Sequence, residues 1–239
     1  MSEPAGADRR PNRTVHGRRK GRPLRPGRKA VLAELLPRLE IRLPESGTLE
    51  PAALFDPPRP ERIWLEIGFG AGEHLAWQAE HNPNVGLVGA EVFVNGIAGL
   101  LREVRDRGLT NVRVFQGDGR DLLAVLTEAS LDRAFVLFPD PWPKTRHHKR
   151  RIVQPDTLDR LAAVMKDGVE LRLATDDMAY LRWMLELLLR HPDFEWLARG
   201  PEDWRGRPAD WPQTRYETKA IEQGRRPAYL RFRRRPRRA

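Results

Sequence analysis

Three prolines at positions 139, 141 and 143 alternate with Asp140 and Trp142 in a loop that could carry chemistry. A carboxylate can stabilise or accept a charge, and an indole face attracts a planar or cationic group. Each proline fixes its own φ at about −65° and favours extended backbone in the residue before it. We therefore predict a stiff, extended loop that presents Asp140 and Trp142 to a ligand with a planar polar ring, such as a nucleobase.

A basic run follows this loop directly. Its Lys and Arg side chains are Lys144, Arg146, Lys149, Arg150 and Arg151. Cations beside an aromatic platform suit a base that is attached to a phosphate chain. The alternative is a solvated surface run, because many runs of like charge only face water. No acid or further histidine lies at ligand spacing from His147 and His148, so we predict no metal site here.

A second candidate site is the glycine-rich segment that runs from Glu66 to Gly72, with the spacing E-x-G-x-G-x-G. Glycines permit a tight turn and let a ligand approach bare backbone. The dinucleotide pattern G-x-G-x-x-G fits in neither register, because Glu73 or Leu75 occupies the place of its third glycine. A carboxylate in the first helical turn also opposes a phosphate. The segment therefore favours a nucleoside-like ligand without phosphate.

This spacing resembles the first motif of class I S-adenosylmethionine-dependent methyltransferases, whose ligand carries a sulfonium, a ribose and an adenine. Glu91 ends the next predicted strand, where an acid commonly accepts both ribose hydroxyls. Asp118 follows the strand after that and would accept from the adenine amino group. Each acid alone is more often a helix cap or turn residue, but three in register favour a pocket. The candidate cofactor residues are Glu66, Gly68, Gly70, Gly72, Glu91, Asp118 and Asp140.

The elements that must position these residues alternate along the chain from Arg62 onward. Apolar runs predict strands at 62–67, 85–91, 111–116, 132–138, 169–174, 194–198 and 228–233. Amphipathic stretches predict helices at 72–81, 94–107, 119–127, 155–166 and 177–190, with an earlier one at 30–39. Such alternation predicts an α/β fold of the Rossmann-like class I methyltransferase type, with a seven-stranded, mostly parallel sheet and helices on both faces.

The formal charge of +10 is concentrated at the two ends of the chain. Residues 1–30 carry ten Lys or Arg against two acids, and residues 225–239 carry eight Arg and no acid. This asymmetry predicts a polyanionic partner. We predict that residues 1–29 form a disordered basic arm, for which a merely solubilising tail is the alternative, and that residues 30–239 form one domain with a basic C-terminal tail.

The chain has 239 residues, which is enough for one full core, and it contains no cysteine. The lack of cysteine excludes disulfides, thiolate nucleophiles and cysteine-ligated zinc, and fits a reducing compartment. No apolar run reaches about 18 residues, and the basic start lacks the apolar core of a signal peptide. We therefore expect a cytoplasmic protein without a membrane partner. The sequence leaves the oligomeric state open and is compatible with a monomer.

Taken together, these motifs closely resemble those of the bacterial tRNA (guanine-N7-)-methyltransferases, which methylate a guanine in the variable loop of tRNA. The resemblance covers most of the chain, and the proline-rich loop is its most specific part. The matching segments are residues 22–28, Leu65 to Leu75, Gly89 to Phe93, Phe138 to Arg151, Ala174 to Asp177, and Asp210 to Glu217.

The resemblance implies S-adenosylmethionine as the cofactor, tRNA as the partner and Asp140 as the catalytic residue. The implied contacts to the substrate guanosine are Lys144, Asp176, Thr214, Arg215, Tyr216 and Glu217. The implied RNA contacts lie in residues 145–150 and include Arg146, His148, Lys149 and Arg150. The family commonly has a bulky residue where this chain has Asp177, which leaves the local tRNA contact open.

Several alternatives remain at this stage. Glu217 could accept from N1 and N2 of guanine, or it could pair with Arg215 or Lys219. A Pro-Asp-Pro-Trp loop also resembles the Asp-Pro-Pro-aromatic loop of enzymes that methylate exocyclic amines. A catalytically inactive RNA-binding module of the same fold is a third reading. Asp140 could act through its charge or as a base, and guanine N7, which already has an in-plane lone pair, favours the charge.

Overall fold

The computed structural model describes residues 21–238. Its strands are β1 (Arg62–Ile67), β2 (Val85–Glu91), β3 (Val112–Gln116), β4 (Leu131–Leu137), β5 (Met165–Thr175), β6 (Phe194–Trp196) and β7 (Ala228–Arg234). Its α-helices are α1 (Pro26–Leu39), α2 (Glu73–His81), α3 (Val94–Asp106), α4 (Gly119–Val125), α5 (Pro155–Val164), α6 (Met178–Arg190), α7 (Glu202–Arg205) and α8 (Arg215–Glu222). Short 3-10 helices cover Pro51–Leu54 and Thr145–Arg150.

The strands form one sheet in the order β3-β2-β1-β4-β5-β7-β6. Strands β1 to β5 are parallel, whereas β7 pairs antiparallel with both β5 and β6. The winding reverses at β1, which has β2 on one side and β4 on the other. In an open α/β sheet, such a reversal leaves a crevice outside the carboxyl ends of the strands. The two candidate motifs follow β1 and β4, so the topology brings both to this crevice.

Two apolar layers cover the sheet. Helices α2 and α3 bury Leu75, Ile97 and Leu100 against one face, and α1 packs on α3. Helices α4, α5 and α6 bury a second cluster on the opposite face. The inner strands β1 and β2 are covered on both sides and are therefore apolar almost throughout, as expected for a parallel sheet. This rigid frame fixes the ends of the strands from which the site is built.

The predicted fold class is confirmed, and most element boundaries agree within one or two residues. Strand β5 is longer than predicted and begins at Met165. Helix α1 begins at Pro26 rather than at Ala30, so residues 26–29, which we assigned to the disordered arm, are helical. Proline suits the first turn of a helix, where its missing N–H costs nothing. Residues 1–20 of the predicted arm lie outside the described part of the chain.

Part of the basic C-terminal tail belongs to the sheet, because residues 228–234 form β7. Arg231 bonds to Glu170 at 2.7 Å, and Arg234 is 4% exposed and lies 3.2 Å from Asp167. Arg237 also pairs with Asp167. These internal pairs account for several cations that the sequence assigned to attraction of a polyanion. Within residues 21–238, no helix is long and apolar enough to cross a membrane.

Candidate active site

A cavity of about 360 Å³ opens at the carboxyl ends of β1, β2 and β4. One part of its wall is the glycine-rich segment with Glu66, Glu91 and Asp118. Another part is the proline-rich loop with Asp140 and Trp142. Thr214 and Tyr216, at the start of α8, complete the wall. The structure therefore joins both candidate motifs in one site.

The glycine-rich turn depends on backbone that other residues rarely adopt. Gly68, Gly70 and Gly72 have φ values of 75°, 56° and 80°. A Cβ on Gly72 would lie 2.5 Å from Cβ of Leu100, so glycine is also needed for the approach of α3. A Cβ on Gly68 would meet nothing within 4 Å. The turn thus presents bare backbone beside open space, as a nucleoside site requires.

Sequence reasoning missed Gly96, which lies in the first turn of α3. A Cβ at this position would approach the carbonyl oxygen of Gly70 to 2.1 Å. Gly99, one turn further along, would place a Cβ 3.0 Å from the carbonyl oxygen of Ala71. The two glycines let α3 lie directly on the turn and support it from behind. Glycine inside a helical pattern was the available signal, since it usually marks close packing.

Glu91 ends β2 and organises the turn from the other side. Its Oε2 accepts from the backbone N–H of Gly70 at 2.8 Å, and its Oε1 accepts from Val92 and Phe93 at 2.7 and 2.9 Å. Burial raises the pKa of Glu91, the three backbone N–H groups oppose that rise, and the nearby charge of Asp140 adds to it. The carboxylate is therefore held in one orientation in the cavity wall.

Asp118 caps α4 and is also part of the cavity wall. Its Oδ1 accepts from the backbone N–H of Arg120 at 3.0 Å, and the Arg120 guanidinium bonds to both of its oxygens. Asp118 therefore caps a helix and lies in the cavity wall at the same time. Bidentate pairing with Arg120 fixes the plane of the Asp118 carboxylate.

Asp140 lies in the exposed part of the wall. Within residues 21–238, its carboxylate has no hydrogen bond or ion pair, which leaves its oxygens available to a ligand. The cavity walls still remove part of its hydration, and this desolvation raises the pKa of Asp140. A carboxylate without a partner, beside the charge of Glu91, favours a ligand that carries or develops positive charge.

The backbone of the proline-rich loop corrects one prediction. Trp142 precedes a proline but has a φ of 43°, and Phe138 has a φ of 48°, so the loop is not extended throughout. Such values cost bulky residues free energy and persist where surrounding contacts fix them. They turn the chain sharply on both sides of Asp140. The shape of the loop thus comes from two left-handed residues as well as from the prolines.

Arg151 supplies one of those fixing contacts, which the sequence did not reveal. We counted it among the cations of the basic run, yet it is 2% exposed. Its Nε donates to the carbonyl oxygen of Pro141 at 2.9 Å. Its guanidinium lies 4.8 Å from the ring centre of Tyr180 and 5.1 Å from that of Trp183. Arg151 is therefore a buried side chain that supports the loop from behind, and not a surface cation.

The rest of the basic run faces outward around Trp142. Arg150 lies over the Trp142 ring at 5.0 Å, and both residues are part of the cavity wall. Lys144, Arg146 and Lys149 are exposed. His148 is half-buried, with its ring 5.5 Å from that of Trp183. No group of three or more His, Asp or Glu in the described chain is arranged to hold a metal ion.

The segment before and within α8 places only part of the predicted substrate set at the cavity. Thr214 caps α8 and, with the exposed Tyr216, lines the wall. Arg215 instead forms an ion pair with Glu73 at the start of α2. Glu217 is 3% exposed, and the structure gives it neither of the ion-pair partners we considered, Arg215 or Lys219.

Glu217 instead accepts from Tyr229 Oη at 2.6 Å and from Arg207 Nε at 3.0 Å. Burial, together with the hydrogen bond to the Glu217 carboxylate, raises the pKa of Tyr229 above its ordinary range. The contact ties α8 to β7, so Glu217 lies behind the cavity wall in this arrangement.

Asp176 and Asp177 follow β5 and have separate roles. Asp176 pairs with Arg225 at 2.5 Å. Asp177, the residue that departs from the family pattern, caps α6 by accepting from the backbone N–H of Tyr180 at 2.7 Å. A short acidic side chain is among the best helix caps, which gives the departure a structural reason.

Comparisons with known proteins agree with this geometry. A family described as putative methyltransferases matches residues 60–229. A tRNA (guanine-N(7)-)-methyltransferase from Rhodospirillum rubrum is 53% identical over 228 residues, which cover 94% of this chain and 89% of that protein. The protein of the same name from Paramagnetospirillum magneticum is 52% identical, with 92% of each chain covered.

This chain belongs to the tRNA (guanine-N7-)-methyltransferase family. The resemblance drawn from the sequence motifs is thereby confirmed. Among solved structures, the 16S rRNA methyltransferase KamB aligns over 77% of this chain and 91% of its own, with a TM-score of 0.51 and 15% identity. An rRNA methylase from Streptococcus thermophilus aligns with a TM-score of 0.50 and 14% identity over 74% of this chain and 89% of its own. These two likenesses show the shared fold of methyltransferases, and the relatives show the family.

Proposed function

We propose that this protein transfers a methyl group from S-adenosylmethionine to N7 of a guanine in the variable loop of tRNA. The observation that carries the proposal is the single cavity in which the glycine-rich turn and Glu91 meet Asp140 and Trp142. A nucleoside cofactor and a planar substrate ring would lie next to each other there. Family membership at about half identity over nearly the whole chain supports the same reaction.

The residues of the turn fit S-adenosylmethionine. A cavity of about 360 Å³ lies in the range of small-molecule sites. Bare backbone at Gly68 and Gly70, with acceptors at Glu66, Glu91 and Asp118, suits a ligand rich in hydroxyl and amino donors. Gly72 instead lies against Leu100 and outside the cavity wall. When bound, this cofactor supplies an electrophilic methyl group on a sulfonium centre. The acids hold its polar groups, and Asp140 lies close enough to contribute to the same pocket.

Asp140 is the proposed catalytic residue. Guanine N7 has an in-plane lone pair, so it loses no proton before it forms the new bond, and the methylated ring is cationic. A fixed carboxylate beside the ring stabilises that developing charge and can accept a hydrogen bond that orients the base. Asp140 has no competing internal partner among the described residues, which leaves it available for this contact.

For the substrate we propose contacts from both sides of the cavity mouth. Trp142 offers a face for stacking, and Thr214 and Tyr216 line the same cavity. In the arrangement seen here, four other predicted residues lie outside the wall: Lys144, Asp176, Arg215 and Glu217. Their proposed contact with guanosine therefore requires the RNA to extend beyond the cavity or the start of α8 to move. The exposed cations Arg146 and Lys149, together with the half-buried Arg150 and His148, are proposed to contact the RNA backbone.

The decisive test is a methyl-transfer assay with unmodified tRNA and labelled cofactor, followed by nucleoside analysis. We expect 7-methylguanosine as the product, mapped to the variable loop. An N-methylated exocyclic amine would identify the alternative enzyme class. Cofactor binding without any transfer would identify an inactive RNA-binding module.

We expect Glu91→Ala to weaken the binding of S-adenosylmethionine by roughly 5- to 150-fold, because buried hydroxyls lose an acceptor at a cost of about 1–3 kcal/mol. Calorimetric titration of the cofactor measures this change. The affinity for tRNA should remain, and Glu61→Ala, an exposed acid at the opposite edge of the sheet, is the matched control. An unaltered cofactor dissociation constant in Glu91→Ala would contradict the proposed pocket.

A second basic surface should add to RNA affinity without regard to sequence. Arginines surround a cavity of about 620 Å³ between α1 and α3, namely Arg22, Arg25, Arg28, Arg102 and Arg105. We expect Arg25→Gln combined with Arg28→Gln to reduce the slope of log affinity against log salt by roughly 0.7 per lost phosphate contact. Filter-binding titrations over a salt series measure the slope. Arg59→Gln with Arg62→Gln, exposed at the far edge, should leave it unchanged.

A further inference from the structure

A buried row of hydrogen bonds connects the cofactor side of the cavity to the segment that precedes α8. Glu66 Oε2 lies 2.7 Å from Nδ1 of His74. Nε2 of His74 lies 3.1 Å from Nε2 of Gln78, and the same Gln78 nitrogen donates to the carbonyl oxygen of Asp210 at 2.8 Å. All three side chains are no more than 2% exposed. The reaction proposed above assigns no role to His74 or Gln78.

Gln78 fixes the hydrogen-bonding role of the His74 Nε2 atom. The amide nitrogen of Gln78 can only donate, and its oxygen accepts from Asn82 Nδ2 at 3.2 Å. Turning the amide around would lose both this bond and the bond to Asp210. His74 Nε2 therefore accepts from Gln78, and His74 Nδ1 donates to Glu66.

The row ends at a segment that reaches back into the cavity. Trp211 follows Asp210, is 3% exposed, and has its ring 5.6 Å from that of His74 in an edge contact. Five residues later, Tyr216 lies so close to the glycine-rich turn that a Cβ on Gly70 would approach its ring to 3.3 Å. The segment from Asp210 to Tyr216 is thus held at its start by Gln78 and meets the cofactor turn at its end.

We infer that His74 and Gln78 are positioning residues that couple the cofactor pocket to the substrate side of the cavity. When a cofactor binds to Glu66 and the glycine-rich turn, it favours the positions of His74 and Gln78 in which Gln78 donates to the carbonyl oxygen of Asp210. That anchor sets the position of Thr214 and Tyr216 for the RNA. Because coupling between two binding sites is reciprocal, bound RNA raises cofactor affinity by the same factor. The inference rests on the proposed function for the identity of the two ligands.

The test is a binding cycle that needs no turnover. The affinity of S-adenosylhomocysteine is measured by calorimetry with and without saturating unmodified tRNA. For the unaltered protein we expect about tenfold tighter binding in the presence of tRNA, within the usual range of coupling. In Gln78→Met, which keeps volume but removes both donated bonds, the ratio should fall to near one. Affinity for S-adenosylhomocysteine alone should change less than about threefold, because Glu66 keeps its His74 partner.

A second variant and a control complete the design. His74→Asn keeps an N–H donor for Glu66 but leaves no acceptor at the position of His74 Nε2 for Gln78, and it should lose the ratio in the same way. If Gln78→Met does not fold, the measurement on His74→Asn tests the inference in its place. His81→Asn, on the exposed end of the same helix, should keep the ratio. A ratio near one in the unaltered protein, or a ratio that survives both substitutions, overturns the inference. If the enzyme forms 7-methylguanosine but the two ligands show no coupling, the inference is wrong and the proposed function stands. If the enzyme forms no 7-methylguanosine, the inference and the proposed function are both wrong.

Discussion

Asp140→Asn is expected to lower the single-turnover rate of methyl transfer by roughly 10²- to 10³-fold at saturating cofactor and tRNA. The substitution keeps the shape of the side chain and removes only its charge. Positive charge develops on guanine during transfer, and the Asp140 carboxylate in the cavity wall has no partner among residues 21–238. A preorganised charge of this kind stabilises the transition state more than the ground state. The substitution should therefore lower the single-turnover rate and not the affinity for the ligands.

Rapid-quench measurements with excess enzyme give this rate directly. A matched control is Asp159→Asn, which removes an exposed carboxylate that is paired with His191 outside the cavity wall. We expect a much smaller fall in rate for the control. A nearly normal single-turnover rate in the Asp140→Asn enzyme would show that Asp140 is not the catalytic residue.

The pH dependence of the rate follows from the same group. The charged form of Asp140 is the active one, so the rate should fall as pH decreases through its pKa. Desolvation raises that pKa above the ordinary value, which moves the acid limb toward neutral pH. The Asp140→Asn enzyme should lack this limb. A slower rate in deuterium oxide that disappears with the substitution would instead identify Asp140 as a general base.

Local patterns were sufficient to predict the fold and the outline of the site. The alternation of strand and helix patterns predicted the seven strands. The acids at successive strand ends predicted that Glu91 and Asp118 line the same cavity, as they do in the structure. These features are local in sequence. They follow from periodicity and from the rule that parallel strands end at the same edge.

Contacts between distant segments were not predictable in this way. Gly96 reveals its role only when α3 is laid on the turn at Gly70, and Glu217 only when β7 lies behind α8. Charge was the least reliable guide, because a cation in a run can face either water or the core. Arg234 at the C-terminus and Arg151 after the loop both proved to be buried.

Arg151→Met is the variant that tests this distinction most sharply. The side chain donates to Pro141 and lies against Tyr180 and Trp183 behind the loop, with Asp140 directly before Pro141. Methionine fills much of the same space but leaves the Pro141 carbonyl without its donor. The loop can then relax from its left-handed turn at Trp142. Because a displacement of about 1 Å can cost about 10²-fold in rate, we expect a fall of that order in single-turnover methyl transfer.

The salt dependence of tRNA binding separates this role from a phosphate contact. Since Arg151 is buried, the slope of log affinity against log salt should be unchanged in Arg151→Met. Arg146→Met is the matched control, because Arg146 is an exposed cation of the same run. For this control we expect the slope to fall by roughly 0.7 while the saturated single-turnover rate stays nearly normal. If Arg151→Met instead flattens the slope and leaves the saturated rate unchanged, Arg151 contacts RNA. The proposal that it supports the loop from behind is then wrong.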